Sequence, residues 1–222
     1  MIKKMNLEKK IELVDRGLGP EIFSAIVQGL MTPLALTAMI VIIIAATKTQ
    51  RMDTLVCSVF YGLTLFITYL FSCLYHALAY NNGKRVFRAL TITSVSTLFL
   101  SMITMFNILV LGGKKSAVFI IASIVITAFT YLANIFNFEK LKFVRIIGFL
   151  ILTVIALATA YFCIVPLPQM PIVFMLVSTI LYALSFSFHI FGYQVGYFNS
   201  IGHIFAAAAN AFMFFTILLY VI

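Results

Sequence analysis

Seven apolar stretches, each about as long as a bilayer is thick, occupy almost the whole chain. They cover residues 22–46, 55–80, 87–111, 116–136, 143–165, 171–192 and 199–222, with short polar or charged segments between them. A spanning helix takes roughly 20 residues, so seven spans and their connections leave no room for a separate soluble domain. Charge supports the same reading. Fifteen basic and six acidic side chains make up 9% of the chain, whereas a soluble domain carries about 25%. So few charges cannot wet the surface of a 24.8 kDa globule. The expected fold is therefore an all-α integral membrane protein, with an N-terminal arm at 1–21 and a seven-helix transmembrane domain at 22–222.

The arm, MIKKMNLEKKIELVDRGLGPE, is polar and mixed in charge. It has neither the apolar core nor the small-residue cleavage site of a signal peptide, and it reads as a cytosolic segment with a short helix on the membrane surface. Lys3, Lys4, Lys9, Lys10 and Arg16 are placed to meet anionic headgroups, each contributing on the order of 1 kcal/mol. Loop charge then sets the orientation. With the N-terminus inside, five basic residues of the arm join Lys84, Arg85, Arg88, Lys140, Lys142 and Arg145 on the cytosolic side. Only Lys48, Arg51, Lys114 and Lys115 face out. The C-terminus of a seven-span chain is then outside. The net charge of +9 is scattered over short loops, which argues against a nucleic-acid surface. Cys57, Cys73 and Cys163 fall in apolar stretches without zinc-knuckle spacing, so they read as small buried hydrophobes.

Polar groups inside spans are costly and therefore informative. On this map no Asp, Glu, Lys or Arg lies deep in a span, which argues against a proton-coupled transporter or a voltage sensor. The candidates are His76, His189 and His203, with Gln28, Thr91, Asn134 and Asn199. The alternation of helix direction puts His76 near the end of the second span, His189 near the end of the sixth and His203 near the start of the seventh. All three histidines thus belong to one cytosolic-side layer. Ser72 and His76 share a helix face through their spacing of four, as do Asn199 and His203. Such pairs can form a polar pocket, hydrogen-bond between helices or offer imidazoles to zinc, which in catalytic sites takes three protein ligands and a water.

Five segments together resemble a known family. They are EIFSAIVQG from Glu21, SCLYH from Ser72 to His76, FRAL followed by Thr91, NSIGH from Asn199 to His203, and the closing LLYVI. In order and spacing they resemble the hemolysin III proteins, the bacterial branch of the progestin and adipoQ receptor superfamily. The resemblance implies a zinc site formed by a histidine of the second span and two of the last, with a Ser and an Asp beside it. Carried over residue by residue, Ser72, His76 and His203 match. Thr91 stands where the family has Asp, Asn199 where it has His, and Gln28 where its first motif has His. Thr91 cannot act as a carboxylate base, and an amide oxygen is a weaker zinc donor than imidazole. His189, turned inward, would rebuild a three-histidine set, with Cys73 as a further ligand candidate.

The expectation is a hemolysin III-like multi-pass protein of the bacterial plasma membrane. It would act in membrane or lipid homeostasis, with membrane lipids as partners and a degenerate metal site. One alternative is a zinc-dependent hydrolase of a lipid amide such as ceramide, with Ser72 hydrogen-bonding the water or the substrate. The metal would bring its bound water to a pKa of about 7. The other alternative is a channel or transporter.

Overall fold

The computed structural model describes residues 11, 13, 16–136, 138–192 and 195–222. Among the described residues, seven helices are long and apolar enough to cross a membrane. They are α1 (Leu18–Lys48), α2 (Met52–Ala77), α3 (Asn82–Phe106), α4 (Gly113–Phe136), α5 (Lys142–Cys163), α6 (Gln169–Phe191) and α7 (Gly196–Tyr220). No strand occurs among the described residues. The helices fall within a few residues of the expected spans, and α6 ends at Phe191 while α7 begins at Gly196, inside the uncharged GYQVGYFNS segment. The surface helix expected in the arm lies outside the described residues.

The bundle is arranged as the bilayer dictates. Lipid tails are as apolar as leucine, so helices associate through close packing and hydrogen bonds rather than by hiding apolar surface. On α1 the residues Ile22, Ile26, Leu30 and Leu34 recur every fourth position on the exposed side. Glu21, Ser24, Gln28, Ala35, Ile42 and Ala46 form its buried stripe. The central helices are α2 and α3. On α2 the buried face reads Tyr61, Leu65, Tyr69, Ser72, His76, which is the three-to-four spacing of one helix side. Small residues set the closest approaches: a Cβ at Gly62 would lie 3.0 Å from Met39 Cα on α1.

Hydroxyls and amides tie the helices together. Thr64 and Ser101 join α2 to α3 at 2.9 Å, and the Ser178 hydroxyl donates to the Ala209 carbonyl on α7. In mid-bundle Tyr182 donates to Asn210 Oδ1 at 2.6 Å, while Asn210 Nδ2 donates to the Tyr69 hydroxyl at 2.8 Å. One amide thereby links α2, α6 and α7. At the far end of α3 the helix widens into a π-turn, Asn107–Leu111. There the Asn107 carbonyl accepts from Gly112 N and Ser116 Oγ, and its side-chain amide donates to Thr159 on α5. Gly112 and Gly113, at φ 61° and 74°, occupy the left-handed region that glycine enters freely, so α4 can begin at once.

The first and last helices pack against each other, α1 lying between α2 and α7. The middle helix α3 holds α4 and α5, α6 leans mainly on α7, and α5 and α6 touch only lightly. Helix direction brings the starts of α1, α3, α5 and α7 and the ends of α2, α4 and α6 to one end of the bundle. That end carries the histidines.

Candidate functional site: a buried polar chain at one end of the bundle

Four helix termini supply the cluster. Glu21 is in the first turn of α1, His76 in the last turn of α2, Lys84 in the first turn of α3, and Asn199 and His203 in the first two turns of α7. Asn81 caps α3 by accepting from the Lys84 amide at 3.0 Å. A cation in the first turn of a helix works against the helix dipole. The Lys84 side chain escapes that penalty by folding back onto the end of α2, where its Nζ donates to the Leu78 carbonyl at 3.3 Å. Helix C-termini favour cations there.

From Lys84 a continuous hydrogen-bonded chain crosses the bundle. Its Nζ lies 2.8 Å from Glu21 Oε2, and the same oxygen lies 3.0 Å from His76 Nδ1. An ionised carboxylate can only accept, so Nδ1 carries the proton and donates. A neutral His76 then presents the lone pair of Nε2, which faces His203 Nε2 at 3.0 Å. The Asn199 side-chain nitrogen is 3.1 Å from that same His203 atom. One ring nitrogen has one proton or one lone pair and here meets two neighbours. Lys84 and His76 are nearly sealed, at 1% and 5% exposure. Arg16 adds a second cation 3.6 Å from Glu21 Oε1, and its NH1 donates to the Tyr75 hydroxyl at 3.2 Å. Beside the chain Ser24 and Ser200 bond at 2.8 Å and fasten α1 to α7.

The layer of three histidines expected from the sequence is present. The rings of His203 and His189 have centroids 4.7 Å apart, and those of His76 and His203 4.9 Å. His189 packs over Gly202, its Nδ1 buried without a partner among the described residues. Ser72 is buried one turn deeper on α2, outside the hydrogen-bonded chain. Gln28 and Thr91 each have a buried side-chain oxygen without a partner among the described residues. Cys73 donates weakly to the Ala25 carbonyl, and Asn134 donates to Thr93, so both are turned to other helices.

One expectation is corrected. Glu21, expected in the arm, and Lys84, expected in a loop, are both buried helical residues, because α1 starts at Leu18 and α3 at Asn82. The span map therefore missed the ionised half of the site, Glu21 and Lys84 with Arg16. The available signal was Lys84 itself, a lysine directly after the run Asn81–Asn82–Gly83, at a helix start that disfavours positive charge.

The donor set can be compared with the zinc centre that the family resemblance implies. Glu21 holding Nδ1 of His76 is how an outer carboxylate fixes a metal-binding imidazole, and the two facing Nε2 atoms are the donors such an ion would use. Asn199 supplies only an amide, and among the described residues no three of His, Cys, Asp and Glu share a metal-holding geometry. The recess of about 170 Å³ lined by Thr64, Ile67, Phe71, Leu90, Thr93 and Tyr131 shares no residue with the cluster.

Comparison with known proteins gives one informative likeness. The chain is 25% identical over 223 aligned positions to Hemolysin-3 of Bacillus cereus, covering 97% of this chain and 98% of that protein. No family model matches the chain. No solved structure matches it.

Proposed function

We propose that this chain, a multi-pass membrane protein similar to Hemolysin-3 of Bacillus cereus, serves membrane or lipid homeostasis through the polar cluster at one end of its bundle. In this reading the cluster is a degenerate metal site that binds rather than hydrolyses. The observation that carries the reading is the chain Lys84–Glu21–His76–His203, closed by Asn199. Lys84 and Arg16 already neutralise Glu21, and an amide stands where a third zinc donor belongs. The proposed orientation, N-terminus in the cytosol, rests on the eleven basic residues of one set of loops against four of the other. It would bring the arm's lysines and the cluster to the anionic cytosolic leaflet.

The test is elemental analysis of the detergent-purified protein beside His76→Ala and His203→Ala. The expected result is zinc far below one ion per chain in all three. A second reading, a zinc-dependent lipid amide hydrolase, is favoured by one observation, the two Nε2 atoms facing each other at 3.0 Å. About one zinc per chain, lost in both variants together with release of fatty acid from a lipid amide, would establish that reading and overturn the first.

A further inference from the structure

Two helical turns along α7 from His203 lies a second polar tier. Among the described residues no backbone of α6 or α7 comes close to that of α2, and long side chains span the interval. Tyr61 and Tyr69 of α2, Tyr182 of α6 and Asn210 of α7 supply it, with Met102 of α3 beside them. The three phenols are near enough to interact electrostatically. Tyr61 is 0% exposed, Tyr69 3% and Asn210 6%, so bulk solvent has no part in their bonding.

The hydrogen-bond valences of this tier can be counted. A phenol has one proton to give and an oxygen that accepts, and a side-chain amide has two protons. Tyr182 gives its proton to Asn210 Oδ1 at 2.6 Å. Asn210 gives one amide proton to the Tyr69 oxygen at 2.8 Å and the other to the Ala206 carbonyl at 3.0 Å. The amide is then spent as a donor. Tyr69 only accepts in this arrangement, and its own proton meets no acceptor among the described residues. The Tyr61 hydroxyl has no partner of either kind among them. Two phenol protons on one face of α2 are thus unanswered at the depth of the hydrocarbon core, where an unmade bond is costly.

We propose that this tier binds an ordered water between α2 and the α6–α7 pair, with the Tyr61 and Tyr69 hydroxyls as its donors. A water oxygen accepts two hydrogen bonds, and buried waters typically make about three bonds to groups that would otherwise go unsatisfied. The Tyr182 oxygen and the Met102 sulfur, 3.9 Å apart, can receive its own protons. An anion could also accept from two phenols. However, α2, α6 and α7 carry no lysine or arginine, and burying a charge without a partner costs far more than burying a water. The water gives α2 a second hydrogen-bonded link to α6 and α7 beside Asn210. The inference depends neither on the imidazole pair nor on the function proposed for it.

The test is X-ray radiolytic footprinting of the full-length protein in detergent, joined to thermal unfolding. Irradiation splits water where it is bound, and the hydroxyl radicals oxidise the side chains around it. Met102 is expected to be oxidised severalfold faster than Met175, a methionine of similar burial on α6, and Tyr61→Phe should bring the Met102 rate down to that of Met175. Tyr61→Phe should also lower the unfolding midpoint by about 2–4 °C, because it removes a hydroxyl that holds a bond. Losing a hydroxyl that bonds nothing would leave the midpoint unchanged or raise it. Tyr69→Phe should lower it as well, and the two together by less than their sum, since both hydroxyls hold one water. Exchanging chloride for gluconate should change nothing. Oxidation of Met102 no faster than that of Met175, or an unchanged or raised midpoint in Tyr61→Phe, would overturn the proposal. A midpoint that follows chloride concentration would assign the site to an anion and overturn the water.

Discussion

Lys84 is the residue whose placement has the largest energetic consequence. With 1% exposure it is tolerable only because Glu21 lies 2.8 Å away. Stripping one partner from a buried ion pair costs about 3–5 kcal/mol, so Lys84→Met and Glu21→Gln should each destabilise the protein on that scale. The double variant, which leaves Arg16 as the one cation without its carboxylate, should lose clearly less than the sum of the singles. Unfolding in mixed micelles measures all three, and strict additivity would mean the pair is not coupled. Asn210→Leu makes a gentler test. It removes the bonds to Tyr69 and Tyr182, and at about 0.6 kcal/mol for an average interhelical bond the loss should be near 1 kcal/mol. At this scale the histidine layer was legible because helix direction and distance from a span end fix depth. The Glu21–Lys84 pair was not, because hydropathy draws span boundaries at charges and so places every ionised residue outside by construction.

Among the elements, the contact of α1 with α2 depends on Gly62, where a side chain would press on the backbone of Met39. Gly62→Leu should force the two helices apart and cost about 1–3 kcal/mol, as overpacking does, and the same unfolding assay would register it. A neutral result would show that α1 shifts easily on its neighbour. Helix number, order and approximate limits were all readable from the alternation of apolar runs and charge, down to the uncharged break before α7. The π-turn at the end of α3 was not. Hydropathy carries no mark of a fifth-residue hydrogen bond, and Asn107 shows its role only once Thr159 and Ser116 are brought beside it. Nor does the sequence give helix rotation, which decides that Cys73 faces the Ala25 carbonyl while Ser72 faces the bundle interior.

Across the whole molecule, the proposed orientation makes a direct prediction. In intact cells a membrane-impermeant thiol reagent should label Lys114→Cys, whereas Lys140→Cys should react only after lysis. The reverse pattern would put the N-terminus outside. One feature of the packing also bears on how the molecule is made. The helix that enters the membrane first, α1, takes the last, α7, as a neighbour, and the Ser24–Ser200 bond spans 176 positions of sequence. During synthesis α1 and α2 can pair at once, but Glu21 and His76 wait beside an open flank until the final helix arrives with His203. A growing chain therefore carries an incomplete, partly ionised seam through most of its assembly. An insertion chaperone would find its target there, and a truncation that drops only α7 would leave that seam exposed to membrane proteases.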